Sequence, residues 1–258
     1  MNSAPGAPKI RLQDVCQRFR LFRKGRTLQA AIVHLSTRQF FRYDLEALKG
    51  VSFAVPPGEC LGIIGRNGAG KSTILKLIAR IFPPTSGTVE VNGPVSPLIE
   101  LGAGFHPELT GRENVMLGGV LLGFTRRQMA EKLDAILAFA GLEKFADTPI
   151  RQYSTGMLSR IGFALATEID PDILLVDEVL AVGDEGFQQK CLERMNNFRR
   201  QGKTMVFVSH ELSQVQAVCD RVLLLHEGQI LADGRPDTVI ARYHQLLQEV
   251  GPNSPVRA

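Results

Sequence analysis

Short apolar runs separated by glycine, proline and charged residues predict the strands of this chain. Residues 10–15 and 51–55 alternate apolar and polar side chains, which predicts two strands, and the stretch between them is irregular and polar. Three more uniformly apolar runs occupy residues 60–65, 173–176 and 205–208. A helix-length segment separates the last two, which predicts parallel strands joined by a crossover. Residues 221–226 and 230–232 flank a turn and predict a hairpin.

Apolar positions spaced three and four residues apart predict the helices. Residues 72–78 show this spacing directly after a glycine-rich stretch, so a strand, a loop and a helix follow one another there. The pattern of residues 111–142 is also helical, with Thr125 as an N-cap and Gly141 as a stop. Residues 236–248 predict a final helix that precedes a frayed tail.

The composition is that of an ordinary globular domain. Of the 258 residues, 44% are hydrophobic and 22% are charged, and this length suffices for one large α/β domain or for a domain with a helical insert. No window approaches the roughly 18 consecutive apolar residues that a transmembrane helix needs, so we do not expect the chain itself to form a channel. The first eight residues lack the apolar segment of a secretory signal, which favours the cytoplasm.

Neither the cysteines nor the net charge indicates a specific chemical site. The four cysteines lie far apart without paired spacing or a suitably spaced histidine, so we expect buried thiols rather than a metal site or a disulfide framework. They are Cys16, Cys60, Cys191 and Cys219. The formal net charge is +4, and basic residues concentrate at 11–26 and again at Arg38 and Arg42. This concentration indicates either a solvated face or a contact with anionic lipid or a charged substrate.

A phosphate-binding pattern is the strongest chemical signal. Residues 65–72 match GxxxxGK[ST], in which glycines allow backbone N–H groups to surround phosphate oxygens at a helix N-terminus. Lys71 adds a positive charge, and the Ser72 hydroxyl is a ligand for Mg²⁺. The residues expected to contact the nucleotide here are Gly65, Arg66, Asn67, Gly68, Ala69, Gly70, Lys71, Ser72 and Thr73. The alternative is a glycine-rich turn, which the strand–loop–helix setting disfavours.

Two adjacent carboxylates follow the apolar run at residues 173–176. Asp177 and Glu178 have the arrangement that places one acid on the metal and the next near the attacking water. We expect Asp177 to help hold Mg²⁺ and Glu178 to orient or deprotonate the water. A solvated strand end is the commoner explanation of such a pair, but the phosphate loop upstream reverses that preference.

The combination of motifs resembles the ATPase subunits of ABC transporters, from about residue 10 to residue 248. A Tyr-Ser-Thr-Gly-Met segment looks like a divergent form of the family's LSGGQ signature. Ser154 and Gly156 match that pattern. Thr155 and Met157 depart from it. In the family this segment contacts the γ-phosphate of ATP held by the partner subunit, and Ser154 is placed to cap the helix that faces the phosphate. A simple helix cap is the alternative.

Further site residues follow from the same resemblance. Asp184 belongs to a segment like the family's D-loop, and His210 resembles its switch histidine, expected near the γ-phosphate or the water. With Lys71 and Glu178, His210 completes the expected catalytic set. The family stacks an early aromatic residue on adenine, and Phe19 is the candidate here. Four other aromatic residues compete for that role, namely Phe22, Phe40, Phe41 and Tyr43.

Departures from the common family pattern resemble one subgroup, the ATPase subunits that export lipid-linked polysaccharides such as O-antigens, capsules and teichoic acids. Residues 100–114 contain no glutamine where most family members have one, and Glu100 is the nearest substitute. That stretch, the signature, residues 179–184 and a long N-terminal region carry this finer resemblance. The alternatives are an ABC exporter of another amphiphile and a soluble ABC-type ATPase acting on nucleic acid or ribosomes, for which a second cassette or a coiled-coil insert would be typical.

The resemblance implies a fold, partners and a location. The fold is α/β, with a P-loop NTPase core and parallel sheet, an N-terminal antiparallel β portion and an inserted helical subdomain at about residues 105–166. Residues 1–258 form a single nucleotide-binding domain with a C-terminal tail at about 249–258. Two copies of the chain are expected to form a homodimer that holds ATP between them. The expected partner is a separate transmembrane permease, and no binding of nucleic acid is expected. The expected location is peripheral, at the cytoplasmic face of the bacterial inner membrane.

A docking contact for the permease is a further hypothesis from the resemblance. In the family, the cleft beside residues 100–114 receives a short cytoplasmic helix of the membrane subunit. Gly102 and Gly104 permit close backbone approach, and Phe105 and Leu109 supply apolar anchors. The alternative is that Phe105 fills the core of the helical subdomain.

Overall fold

The computed structural model describes residues 7–23, 41–98, 104–168, 171–177 and 183–250. Within these ranges the strands are β1 (Ile10–Arg23), β2 (Phe41–Val55), β3 (Cys60–Ile64), β4 (Ser86–Val91), β5 (Val95–Leu98), β6 (Ile173–Asp177), β7 (Thr204–Val208), β8 (Arg221–His226) and β9 (Gln229–Gly234). The helices are α1 (Lys71–Ile78), α2 (Gly111–Leu121), α3 (Arg126–Ala140), α4 (Thr155–Glu168), α5 (Glu185–Arg200), α6 (Leu212–Val218) and α7 (Pro236–Val250). Among these helices, none is both long and apolar enough to cross a membrane.

A mostly parallel sheet forms the centre of the fold. Its order is β5-β6-β7-β3-β8-β9, and its strands run parallel except for β9. One face packs against α4, α5, α6 and α7, and the other packs against α1 and the second sheet. Because both faces are covered, every residue of β3 and β7 is buried, and these strands are apolar without alternation. The predicted parallel strands, the crossover and the closing hairpin are confirmed.

The second sheet is antiparallel, with the order β2-β1-β4. The predicted irregular stretch between residues 15 and 51 is wrong where the structure describes it, because β1 continues to Arg23 and β2 begins at Phe41. Cross-strand pairs such as the Arg18–Glu46 salt bridge at 2.8 Å place charged side chains on this part of the hairpin. The stretch therefore lacks the apolar alternation that predicts a strand. β4 was not predicted either, because most of its residues are exposed and only Val91 is buried.

The helices α2 and α3 and one side of α4 form the inserted helical subdomain. Its buried cluster includes Val115, Met129, Ile136, Tyr153 and Ile161. The helical pattern of residues 111–142 resolves into two helices, and Thr125 and Gly141 are the cap and the stop of α3 as predicted. The Thr125 hydroxyl accepts the Gln128 N–H, and the Gln128 side chain accepts the Thr125 N–H, which is a capping box.

One buried asparagine holds the loop before α2. The Asn114 side chain is fully buried, and its Oδ1 accepts the His106 N–H at 2.7 Å. Its Nδ2 donates to the carbonyl oxygens of His106, Leu109 and Thr110 at 3.1, 3.0 and 2.9 Å. A single side chain therefore satisfies four backbone groups of residues 106–110.

Asn114→Ala is expected to lower the free energy of unfolding by about 2 to 3 kcal/mol, because several of these backbone groups lose a partner in a poorly hydrated place. Urea denaturation measures the change. Asn196→Ala, at an exposed position of α5, is the matched control and should stay within about 0.5 kcal/mol of the parent protein. Similar losses in both variants would contradict this account of the loop.

The helix α4 joins the helical subdomain to the central sheet. Phe163 of α4 stacks on Phe139 of α3 with ring centroids 6.0 Å apart, and it meets Phe187 of α5 edge-on at 5.9 Å. On its other side, Ile161 and Ala164 belong to the subdomain cluster. The orientation of α4, which begins at the signature segment, is thus fixed from both sides.

Two smaller predictions concern the cysteines and the C-terminus. Cys60, Cys191 and Cys219 are buried free thiols as predicted, whereas Cys16 is half-buried. Burial raises the pKa of the Cys191 thiol to about 12, which makes it an inert part of the core. The final helix is confirmed and continues to Val250, two residues past its predicted end. Residues 251–258 of the predicted tail lie outside the described residues.

Candidate nucleotide-binding site

The predicted phosphate loop lies between β3 and α1, at the carboxyl edge of the central sheet. Lys71 is only 6% exposed, and its ammonium donates to the carbonyl oxygens of Gly65 at 2.8 Å and Arg66 at 3.1 Å. Gly70 occupies the N-cap position of α1 and supplies no side-chain cap. The N-cap residue therefore contributes no side-chain acceptor at the start of α1, where the helix dipole favours an anion.

A cavity of about 340 Å³ opens above this loop. It is lined by Asn67, Gly68, Gly70, Lys71, Ser72 and Thr73 on the loop side, and by Phe19, Leu45, Glu46 and Ala47 from β1 and β2. Phe19 is half-buried and meets the ring of Phe82 edge-on at 5.6 Å, which restricts its orientation. The structure thus brings Phe19 and the phosphate loop to one cavity, as the adenine hypothesis requires.

The side chains of the other aromatic candidates for the adenine contact are not among those that the structure describes. Phe40 lies outside the described residues, and the side chains of Phe22, Phe41 and Tyr43 lie outside the described part as well. Sequence reasoning missed Leu45, which pairs with Phe19 across the β1–β2 ladder and is 39% exposed at the cavity. Because this stretch lacks the apolar alternation of a predictable strand, no local signal indicated Leu45, and only the pairing of β2 with β1 brings it to the cavity.

Asp177 and His210, two of the predicted metal and catalytic residues, lie at the same edge of the central sheet. Val208 of β7 pairs with Ile63 of β3 on one side and with Asp177 of β6 on the other. Asp177 is therefore level with the strand that leads into the phosphate loop, two strand spacings or about 10 Å away. His210 follows β7 by two residues and is exposed. Glu178 lies outside the described residues.

The signature segment forms the N-terminus of α4. The Ser154 hydroxyl accepts the Met157 N–H at 3.2 Å, so the predicted cap is present. Ser154 and Thr155 are exposed, and Gly156 is half-buried. Met157, a departure from the family pattern, packs against the core of the helical subdomain. The cavity-lining residues given above include none of these four, so the signature does not line the cavity of its own chain.

Asp184 links the D-loop segment to the signature helix. Its carboxylate accepts the Phe187 N–H at 2.9 Å, which caps α5, and it pairs with the Arg160 guanidinium of α4 at 2.6 Å. The backbone N–H of Phe187, helped by Arg160, lowers the pKa of Asp184 below its ordinary value. The guanidinium of Arg160 also lies over the Phe187 ring, 5.4 Å from its centroid. Sequence reasoning named Asp184 but missed this pairing.

The proposed docking residues are only partly described. Glu100 and Gly102 lie outside the described residues. Phe105 is half-buried and packs against the core of the helical subdomain, which supports the core alternative for this residue. Leu109 is half-buried, and its carbonyl oxygen accepts the Ile150 N–H at 3.0 Å. Leu109 is therefore the better candidate for an apolar anchor.

Comparison with known proteins gives relatives that include ATP-binding proteins of O-antigen and teichoic acids export. The O-antigen export system ATP-binding protein RfbB of Myxococcus xanthus is 49% identical over 203 residues, which are 79% of this chain and 46% of that protein. RfbB of Klebsiella pneumoniae is 47% identical over 78% of this chain and 82% of its own length. The teichoic acids export ATP-binding protein TagH of Lactiplantibacillus plantarum is 42% identical over 93% of this chain and 66% of its own length. The chain thus spans less than half of the Myxococcus relative.

A solved structure and a family comparison agree with these relatives. The dimeric ATP-binding cassette MJ0796, in a post-hydrolysis state with ADP and Pi, superposes with a TM-score of 0.71 over 88% of this chain and 98% of its own, at 22% identity. This likeness supports the α/β cassette fold. The ABC transporter family matches residues 48–181, which are just over half of the chain. The chain therefore belongs to the ABC transporter family, as an ATP-binding cassette.

Proposed function

We propose that this chain is the ATP-hydrolysing subunit of an exporter that moves a lipid-linked polysaccharide, of the O-antigen, capsule or teichoic acid type, across the cytoplasmic membrane. The observation that carries the proposal is the 42–49% identity to relatives named for O-antigen export and teichoic acids export. The absence of a glutamine from residues 100–114 and the Tyr-Ser-Thr-Gly-Met signature, which resemble the same subgroup, agree with it.

ATP binds between the phosphate loop and the β1–β2 hairpin. The N–H groups at the start of α1 and the Lys71 ammonium hold the phosphates, and the Phe19 ring stacks on adenine. The cavity supports this because one side is lined by the cation and the phosphate loop, whereas the other side carries Phe19 and Leu45. Its volume of about 340 Å³ lies in the range of small-molecule sites. A nucleotide has the matching polarity, anionic at one end and aromatic at the other.

Mg²⁺ accompanies ATP, and its ligands are the Ser72 hydroxyl and the Asp177 carboxylate. Oxygen ligands of this kind are those Mg²⁺ prefers, and exposed Ser72 lines the cavity on its phosphate side. When bound, the ion neutralises charge on the phosphate oxygens. Glu178 orients or deprotonates the attacking water, and His210 contacts the γ-phosphate or that water.

A second copy of the chain completes the site. Ser154, Thr155, Gly156 and Met157 begin α4 outside their own cavity, so the helix N-terminus they form is available to the γ-phosphate on a partner subunit. The Arg160–Asp184 pair couples this helix to the D-loop, so a phosphate bound at the signature influences Gly183 and Asp184. The solved cassette of similar fold is a dimer. Two ATP molecules then lie between two chains.

The membrane-spanning part of the exporter is a separate permease subunit, and this chain binds it at the cytoplasmic face of the inner membrane as a peripheral protein. Export in cells tests the function. In a strain that lacks the gene, surface glycan should disappear while lipid-linked glycan accumulates inside, and the intact gene should restore export. Normal surface glycan with loss of another exported amphiphile would support the alternative exporter. Normal glycan, together with nucleic-acid binding, would support the soluble ATPase.

Leu109→Ala tests the contact with the permease. Basal ATP hydrolysis by the isolated subunit should stay within about twofold, whereas surface glycan should fall at least about tenfold, because a central apolar anchor carries much of an interface's binding energy. Leu247→Ala, at an exposed position of α7, is the control and should leave both unchanged. Phe105→Ala, unlike Leu109→Ala, should also destabilise the helical subdomain. Full export with Leu109→Ala would remove Leu109 from the interface.

A further inference from the structure

The tight turn between β8 and β9 contacts both walls of the cavity. The Gly228 N–H donates to the Ala69 carbonyl of the phosphate loop at 3.1 Å, and the Lys49 N–H of β2 donates to the Gly228 carbonyl at 2.9 Å. One peptide segment therefore bonds to the loop in one direction and to the β1–β2 hairpin in the other. Its own backbone is unusual, because Glu227 has φ 46° and Gly228 has φ 81°. Two successive left-handed residues are typical of a two-residue hairpin turn.

The backbones of the turn, the phosphate loop and β2 approach one another closely at Ala47. A Cβ on Gly228 would lie 2.8 Å from the Ala47 carbonyl oxygen and 3.2 Å from the Leu48 Cα. A Cβ on Gly70, from the phosphate-loop side, would lie 2.7 Å from the same oxygen. Since these neighbours are backbone atoms rather than flexible side-chain ends, the hairpin is as close to the turn and the loop as glycine permits.

The position of Ala47 also determines where the apolar wall of the cavity lies. Ala47 and Leu45 both line the cavity, and Leu45 pairs directly with Phe19 in the β1–β2 ladder. A shift of β2 at Ala47 therefore moves Phe19 and Leu45 relative to the phosphate loop. A nucleotide spans a fixed distance between its base and its phosphates, so such a shift weakens simultaneous contact with both.

We propose that the Glu227–Gly228 turn is a spacer that sets the distance between the phosphate loop and the base-binding wall, with Gly228 as its positioning residue. Gly228 touches no nucleotide in this proposal and acts only through Ala47 and Ala69. The inference rests on the nucleotide site of the proposed function.

A separate link keeps the rest of the hairpin attached when the spacer is altered. The Arg221 guanidinium donates to the Ala54 carbonyl of β2 at 3.2 Å, and it pairs with Glu59 at 3.1 Å and with Asp233 at 2.7 Å. Ala54 lies seven residues beyond Ala47, next to the C-terminal end of β2. A change at Gly228 should therefore displace the hairpin locally at the cavity without detaching it.

Gly228→Ala is the test, with ATP and inorganic tripolyphosphate as the two probes in the presence of Mg²⁺. The added methyl group pushes on Ala47 but leaves the Gly228–Ala69 bond in place. ATP affinity should fall about tenfold, because the base loses its wall, and tripolyphosphate affinity should stay within about twofold. Isothermal titration calorimetry measures both, and retained tripolyphosphate binding shows that the variant is folded.

Gly202→Ala is the matched control. Gly202 has φ 69°, so alanine is similarly strained there, but a Cβ would meet nothing within 4 Å. ATP affinity should be unchanged in this variant. If Gly228→Ala does not fold, Lys49→Pro decides, because it removes the N–H that bonds to Gly228 without adding a methyl group to the turn, and the same ATP-selective loss is expected.

Three results would overturn the spacer. They are unchanged ATP affinity in Gly228→Ala, an equal loss of both probes, and an equal ATP loss in Gly202→Ala. Failure of the unaltered protein to bind either probe is a different outcome, because it removes the nucleotide site itself and with it the proposed function.

Discussion

Lys71→Ala is expected to lower ATP affinity by about a hundredfold or more, which corresponds to about 3 kcal/mol of binding free energy. The Lys71 ammonium is almost fully buried beneath the cavity and lies against the carbonyl oxygens of Gly65 and Arg66. In this water-poor place a positive charge offsets phosphate charge far better than at the surface. Isothermal titration calorimetry with ATP and Mg²⁺ measures the loss of affinity.

The control for Lys71→Ala is Lys76→Ala. Lys76 lies on the same helix, α1, at a half-buried position, and it does not line the cavity. Its removal changes the net charge equally and should leave ATP affinity within about twofold. Comparable ATP affinity in Lys71→Ala and the unaltered protein would count against the phosphate role of the loop. A thermal melt of both variants separates loss of binding from loss of folding.

Glu178→Gln is expected to lower the rate of ATP hydrolysis by about two orders of magnitude or more, while ATP still binds. Glutamine keeps nearly the shape of glutamate but does not accept the proton of the attacking water. Since ATP is then held without turnover, a closed dimer should accumulate in ATP and Mg²⁺. Steady-state phosphate release measures the rate, and size-exclusion chromatography measures the dimer.

Glu185→Gln is the control for this second variant. Glu185 is an exposed acid in the first turn of α5, seven residues further along the chain, and its substitution should change neither the rate nor the dimer. If Glu178→Gln elutes only as a monomer in ATP and Mg²⁺, the result would count heavily against a dimer that holds ATP between two chains. Full hydrolysis would remove Glu178 as the base.

Local sequence patterns were sufficient to predict a structural feature wherever the interaction that produces the feature joins residues close together in the chain. The Ser154 hydroxyl reaches an N–H only three residues away, so the cap of α4 was predictable. Thr125 and Gly141 bound α3 for the same reason. The phosphate loop was predictable because its glycines, its lysine and the following helix are contiguous. The roles assigned to the site residues stay predictions, and these include the residues of the phosphate loop and of the signature.

Features that depend on distant partners were not predictable in this way. β1 and β2 continue through a charged stretch because each supplies the hydrogen bonds of the other, and their local side chains carry no sign of that pairing. The same holds for the Arg160–Asp184 pair and for Gly228, whose partners Lys49 and Ala69 are more than 150 residues away in the chain. The Gly228 contacts arise only when packing of the two sheets brings these backbones together, and the Arg160–Asp184 pair arises only when α4 and α5 pack side by side. Local propensity identified the strand–loop–helix segment that we propose to hold phosphate, and tertiary packing decided which wall of the cavity faces this segment and at what distance.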